Sequence, residues 1–115
     1  MILNIGIISG DKSAFRRWNQ KFISIIYGIK SEYGDYLAKM QGMLDTGTEV
    51  NNMEEEMGKD MDMRGSDRED LNKFLYTVLM MKVEGETYDK IRGVTNRKGM
   101  VAYGQLYRGS RKSQY

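Results

Sequence analysis

The chain contains no cysteine, no histidine and no proline. Without cysteine it can form no disulfide, thiolate-ligated zinc site, iron–sulfur site or thiol nucleophile. Without histidine it has no imidazole base, no serine triad of the usual kind and no histidine-ligated metal, so carboxylates, lysine and tyrosine are the remaining acid–base groups. A non-enzymatic role is therefore expected, with no catalytic residue, no cofactor and no metal. The missing proline removes the strongest helix breaker, and ten methionines supply apolar side chains that fill irregular gaps.

Long apolar runs are also missing. The opening Met1-Ile-Leu-Asn-Ile-Gly-Ile-Ile8 has no basic leading region and is too short to span a bilayer, which predicts neither signal peptide nor membrane association and a cytoplasmic or nuclear location. Neither a Walker-type phosphate loop nor a dinucleotide-binding glycine pattern occurs: Gly58-Lys59 has no upstream glycine and no following Ser or Thr. Asp60-Met-Asp62-Met-Arg64-Gly65 has the first, third and sixth positions of a calcium loop, but Arg64 stands fifth and Leu71 twelfth, where a bidentate Glu is needed.

What the chain does have is the composition of one globular domain. Its 115 residues suffice for a single core, and 40% apolar with 30% charged residues argues against wholesale disorder. The charges are segregated. Residues 1–44 carry a net +3, 45–63 a net −6, 64–85 balance, and 86–115 carry a net +5.

The apolar periodicity is helical. Phe15, Trp18, Phe22, Ile25, Ile26 and Ile29 recur at spacings of three and four behind a possible Ser13 cap. Tyr33, Tyr36 or Leu37, Met40 and Leu44 do the same, with a kink or break expected near residues 30–34. Ser66-Asp-Arg-Glu69 reads as a capping box opening a helix with Leu71, Phe74, Leu75, Val78 and Leu79 on one face, stopped by Gly85. A short helix with Tyr88 and Ile91 and a last one over residues 99–108 with Met100, Tyr103, Leu106 and Tyr107 follow. The expected fold is all-α, a single compact bundle of about five helices. Its core comprises Phe15, Trp18, Phe22, Ile25, Leu71, Phe74, Leu75, Val78, Ile91 and Leu106. Along the chain it divides into an apolar, short extended N-terminal segment (1–12), a helical part (13–44), an acidic connector (45–65), a second helical part (66–108) and a frayed basic tail (109–115). The connector is expected to be mobile, with at most one short helix around Met53–Met57, since its like charges repel.

Two surfaces follow from the charge and apolar patterning. Lys90, Arg92, Arg97, Lys98, Arg108, Arg111 and Lys112, interleaved with Tyr103, Tyr107 and Tyr115, are candidate contacts to nucleic-acid phosphates. The helical spacing of Tyr103 and Tyr107, however, favours a place in the core for both. Ile2, Leu3, Ile5, Ile7 and Ile8 form an apolar edge open to strand pairing, and Glu54, Glu55 and Glu56 an acidic patch that a basic tail of another copy would attract; both are candidate self-association sites. Trp18, mid-helix among apolar residues, reads as a core anchor.

Phe15-Arg-Arg-Trp18, Asp70-Leu-Asn-Lys-Phe-Leu-Tyr-Thr-Val-Leu79, Val83-Glu-Gly-Glu-Thr-Tyr-Asp-Lys-Ile-Arg-Gly-Val94 and Gly99-Met-Val-Ala-Tyr-Gly-Gln-Leu-Tyr107 occur in that order. The layout resembles the capsid-like Gag region of long-terminal-repeat retrotransposons of the copia type, over residues 13–108. In that family an aromatic-Trp helix precedes a hydrophobic helix, a short helix and a closing element with Ala, an aromatic, two residues and Leu. Tyr103 stands where the family usually has Trp, and no zinc knuckle is present. The resemblance implies a structural protein that forms homo-oligomers through helical packing and encloses the element's RNA. A basic helical nucleic-acid-binding module and a protein-interaction adaptor are the alternative readings.

Overall fold

The computed structural model describes residues 8–9, 12–60, 63–94 and 98–111. The architecture is all-α. Among the described residues the helices are α1 (Lys12–Ile29), α2 (Ser31–Asp45), α3 (Val50–Asp60), α4 (Gly65–Lys82), α5 (Gly85–Arg92) and α6 (Gly99–Arg111). A two-residue parallel pairing joins β1 (Ile8–Ser9) to β2 (Val83–Glu84), with Ile8 opposite Val83. The radius of gyration is 13.2 Å, close to the value of about 13 Å expected for one compact domain of this size.

Lys30, extended between two helices, makes the elbow between α1 and α2. Its N–H still donates to Ile26 O at 2.8 Å, while its carbonyl accepts from Tyr33 at 3.0 Å. The elbow folds Tyr27 over Gly34, where a Cβ would collide with the ring, and the Tyr27 hydroxyl donates to Asp35 at 3.2 Å. At the other end of α2 the chain reverses through Gly47 at φ +100°. Thr48 N–H reaches back to Met43 O at 3.0 Å and Gly47 N–H to Leu44 O at 3.2 Å, the paired bonds of a Schellman stop that needs a left-handed residue.

In the acidic connector expected at 45–65, the short helix allowed around Met53–Met57 is present but extends over all of α3, and Met53 and Met57 are fully buried, so this stretch is an ordered part of the core and not a mobile link. The reason lies on α6. Gly104 has no side chain, and Val50 Cγ1 and Met53 Cε stand 3.0 and 3.3 Å from where its Cβ would be. α3 thus gains its order from a tertiary partner, the usual source of stability for a short polar helix. Helix α4 also differs from expectation at both ends. It begins two residues earlier than a Ser66 cap would set it: Arg64 is the cap, with the Asp67 carboxylate accepting from Arg64 N–H at 3.3 Å. It ends at Lys82 because Val83 turns extended to pair with Ile8, and Gly85 opens α5 rather than closing α4.

The core is built on α6, which packs against α1, α2, α3 and α4. Of the expected core residues, Phe15, Trp18, Phe22, Leu71, Leu75, Val78 and Ile91 are buried, while Ile25, Phe74 and Leu106 are half-buried against them. Leu37, Met40, Met53, Met57, Met100 and Tyr103 are buried as well. A chain of rings crosses this core: Trp18 stacks on Phe22 at 4.6 Å, Phe22 meets Phe74 at 6.4 Å, Phe74 meets Tyr33 at 5.3 Å, and Phe15 meets Tyr103 edge-on at 6.1 Å. Such offset and edge-on pairs stabilise a core beyond the area they bury.

Candidate functional site

The polar groups inside the bundle are used to fix α6. The Tyr103 hydroxyl donates to Asn19 Oδ1 of α1 and accepts from Gln41 Nε2 of α2 at 2.9 Å. Burial pushes the Tyr103 phenol well above its ordinary pKa, so it stays neutral and keeps donating. One turn on, the Tyr107 hydroxyl donates to the Asp45 carboxylate at 2.9 Å. At the start of the same helix, Asn72 Oδ1 accepts from the Met100 N–H at 2.9 Å while its amide donates to Glu54 at 2.6 Å. Glu54 also holds Lys98 at 3.3 Å. Asn72 therefore caps α6 from α4, and Glu54 of α3 holds both Asn72 and Lys98.

This arrangement redistributes the residues expected to face outward. Of the candidate phosphate contacts, Lys98 is bound to Glu54, and Arg108 points to Glu49 at 3.5 Å. Arg92 is exposed, 3.7 Å from Asp89 and 5.9 Å from the centre of the Tyr88 ring. Arg97 and Lys112 lie outside the described residues, as does Tyr115, and Lys90 and Arg111 fall in helices without described side chains. Tyr103 and Tyr107 are buried, so neither offers a ring for base stacking.

The self-association candidates divide in the same way. Ile2, Leu3, Ile5 and Ile7 lie outside the described residues, and the Ile8 backbone pairs with Val83 of the same chain. Glu54 is mostly buried and engaged internally, whereas Glu55 and Glu56 are exposed; Glu55 lies 3.8 Å from an equally exposed Lys59. Asp60 pairs with Lys39 at 3.2 Å. Much of the charge segregation read along the chain is thus closed within the fold.

One set of charges is not. Arg16, Arg17 and Lys21 are exposed on the face of α1 opposite Phe15, Trp18, Phe22 and Ile26, with Gln20 and Ser24 between them. α1 carries no Asp or Glu at all, and among the described residues no carboxylate forms an ion pair with these three cations. The signal was present in the sequence: the periodicity that makes Phe15 and Trp18 a core face makes Arg16, Arg17 and Lys21 an outer one. Large exposed apolar residues among those described are Tyr27, Ile29 and Met81.

Among the described residues no group of three or more Asp or Glu side chains is placed to hold a metal ion, and no helix is long and apolar enough to cross a membrane. Compared with protein-family models, with curated proteins and with solved structures, the chain matches none.

Proposed function

We propose that this chain is a capsid-like structural domain of the Gag type, which acts by associating with copies of itself into a cytoplasmic or nuclear particle able to enclose RNA. The observation that supports this reading is the convergence of the four stretches that carry the resemblance. Phe15 and Trp18 of the first stack at 6.2 Å, and Phe15 meets Tyr103 of the last. Leu71, Leu75, Val78 and Leu79 of the second and Ile91 of the third are buried in the same core. Although the first and last of them lie at opposite ends of the helical part, these stretches come together in one helical unit, whose interior polar groups, such as Asn19 and Tyr103, are engaged with each other.

The internal ion pairs alter how such an assembly should form. Attraction between a basic tail and an acidic waist in different copies loses Lys98, Arg108 and Glu54, which are satisfied within the chain. Light scattering and negative-stain imaging of the purified chain across protein and salt concentrations test the proposal. Mass rising with concentration and particles on the grid are expected. A monomer at every concentration and salt sinks it, and RNA binding by that monomer, falling steeply with salt, would favour the nucleic-acid-binding module.

A further inference from the structure

We infer that the outer face of α1, carrying Arg16, Arg17 and Lys21, docks on the outer face of α3 of a second copy, where Glu55 and Glu56 stand exposed. The inference rests on the self-association proposed above and names its contact. Three observations carry it.

First, the two faces have opposite charge, and among the described residues no carboxylate pairs with Arg16, Arg17 or Lys21, while Glu55 meets only the exposed Lys59. α1 has no carboxylate, and α3 has Glu54, Glu55, Glu56 and Asp60 against the single Lys59. Glu54 and Asp60 are engaged within the chain, which leaves Glu55 and Glu56 as the outward acids. The Glu55–Lys59 pair is 3.8 Å long and exposed on both sides, too weak to hold Glu55 against a competing cation.

Second, the fold keeps the faces apart. α1 and α3 each pack on α2 and on α6, and they make no substantial packing contact with each other. Among the described residues no ion pair joins the basic face of α1 to the acidic face of α3 within one chain, which leaves both to meet those of a neighbour. A contact between different surfaces on identical copies is head-to-tail, and it propagates into a ring or a filament instead of stopping at a dimer.

Third, the apolar side of α1 is not free to choose another partner. Phe15, Trp18, Phe22 and Ile26 are buried in the core, so α1 cannot turn over to lay its apolar face into a lipid surface as an interfacial amphipathic helix does. Its outer face offers charge and hydrogen bonds only. Exposed ion pairs contribute little singly and are screened over about 8 Å at physiological ionic strength, so the contact is reversible, uses several pairs and weakens as salt is added.

Two charge-reversed chains test this in sedimentation or light-scattering experiments at low and physiological salt. One carries Arg16→Glu, Arg17→Glu and Lys21→Glu; the other carries Glu55→Lys and Glu56→Lys. Each alone should lose about tenfold in association constant, the combined effect of a few exposed pairs. Mixing the two should restore association, because each then meets the opposite charge on its partner. Helicity and melting temperature identical to the wild type show that the fold is intact; if a reversal prevents folding, the corresponding glutamine variants are used, and loss of the salt-sensitive association is the expected reading. A wild type that associates while both reversed chains associate equally well overturns the inference and leaves the assembly proposal standing, as does a mixture that fails to recover. A wild type that never associates removes both. If the wild type is monomeric and Arg16→Glu, Arg17→Glu and Lys21→Glu abolish its binding to a single-stranded RNA oligonucleotide, the face is a phosphate-binding surface and the inference is overturned.

Discussion

Tyr103 and Asn19, 84 positions apart, are joined by a buried hydrogen bond of 2.5 Å from the phenol to the amide oxygen, and Gln41 donates to the same hydroxyl. One oxygen thereby ties α6 to α1 and α2. Removing it leaves Asn19 without a donor and Gln41 without its acceptor, in a setting where Asn19 is 6% exposed.

Tyr103→Phe should therefore destabilise the fold by about 1–3 kcal/mol, the cost of stranding buried polar partners while conserving the ring. Denaturant melts at neutral pH measure it. A loss near zero would mean that water reaches Asn19 and Gln41.

The same residue sets an alkaline limit. Burial raises its pKa above the ordinary 10.0, with the hydrogen bonds from Gln41 and to Asn19 opposing the rise. Above about pH 10 the unfolded chain gives up a proton that the folded chain retains, so the stability linked to Tyr103 is complete below that pH and declines as pH rises further. The difference in unfolding free energy between wild type and Tyr103→Phe should accordingly shrink upward of pH 10. Parallel curves for the two proteins would assign alkaline unfolding to other groups.

Glycines 99 and 42 should respond oppositely to alanine. A Cβ at Gly99 would sit on the Asn72 carbonyl oxygen and the Tyr76 amide nitrogen, both backbone atoms that can move only if α6 lifts off α4. Gly99→Ala should cost about 3 kcal/mol or more. Gly42 lies inside α2 with nothing near its missing Cβ, and Gly42→Ala should stabilise by about 0.5–1 kcal/mol. Thermal melts of the pair give the contrast directly.

Amide exchange should find residues 50–60 protected, with Met53→Ala costing about 2–5 kcal/mol, as expected for a fully buried methionine. Exchange as fast as that of a free peptide across this stretch would show that α3 opens in solution.

Trp18→Ala should cost about 3–5 kcal/mol. Trp18→Phe should cost far less, because the indole Nε1–H is buried with no hydrogen-bond partner among the described residues, and its removal relieves that donor. Equal losses in the two variants would indicate that the indole nitrogen is satisfied in solution.

The sequence makes α1, α2, α4 and α6 readable because each repeats apolar residues every three or four positions. The full length and order of α3 escape that reading, which allows only a short helix around Met53–Met57, because those two are its buried residues and Met53 packs against α6, far along the chain. The cap of α4 is misread by two residues, since Ser66 with Glu69 and Arg64 with Asp67 both have the spacing of a cap and its partner three residues on, and only the position of the first helical turn decides between them. For the site, a running charge tally cannot see that Lys98 and Glu54, 44 positions apart, or Arg108 and Glu49, 59 apart, meet in space. The free cations of α1 were legible by helical periodicity, but they sit in a segment whose charge is small beside the blocks that follow it.

The placement of α6 has a consequence for how the chain acquires its structure during synthesis. The helix against which α1, α2, α3 and α4 all rest is the last in sequence of the six among the described residues. As the polypeptide leaves the ribosome, the earlier helices emerge before the helix they all pack on. Completion of the core must wait until residues 99–107 clear the exit tunnel, so the folding step is late and concerted rather than vectorial. Until then, Met53 and Leu75, which pack against Gly104 and Gly99 of α6, lack the partners that bury them.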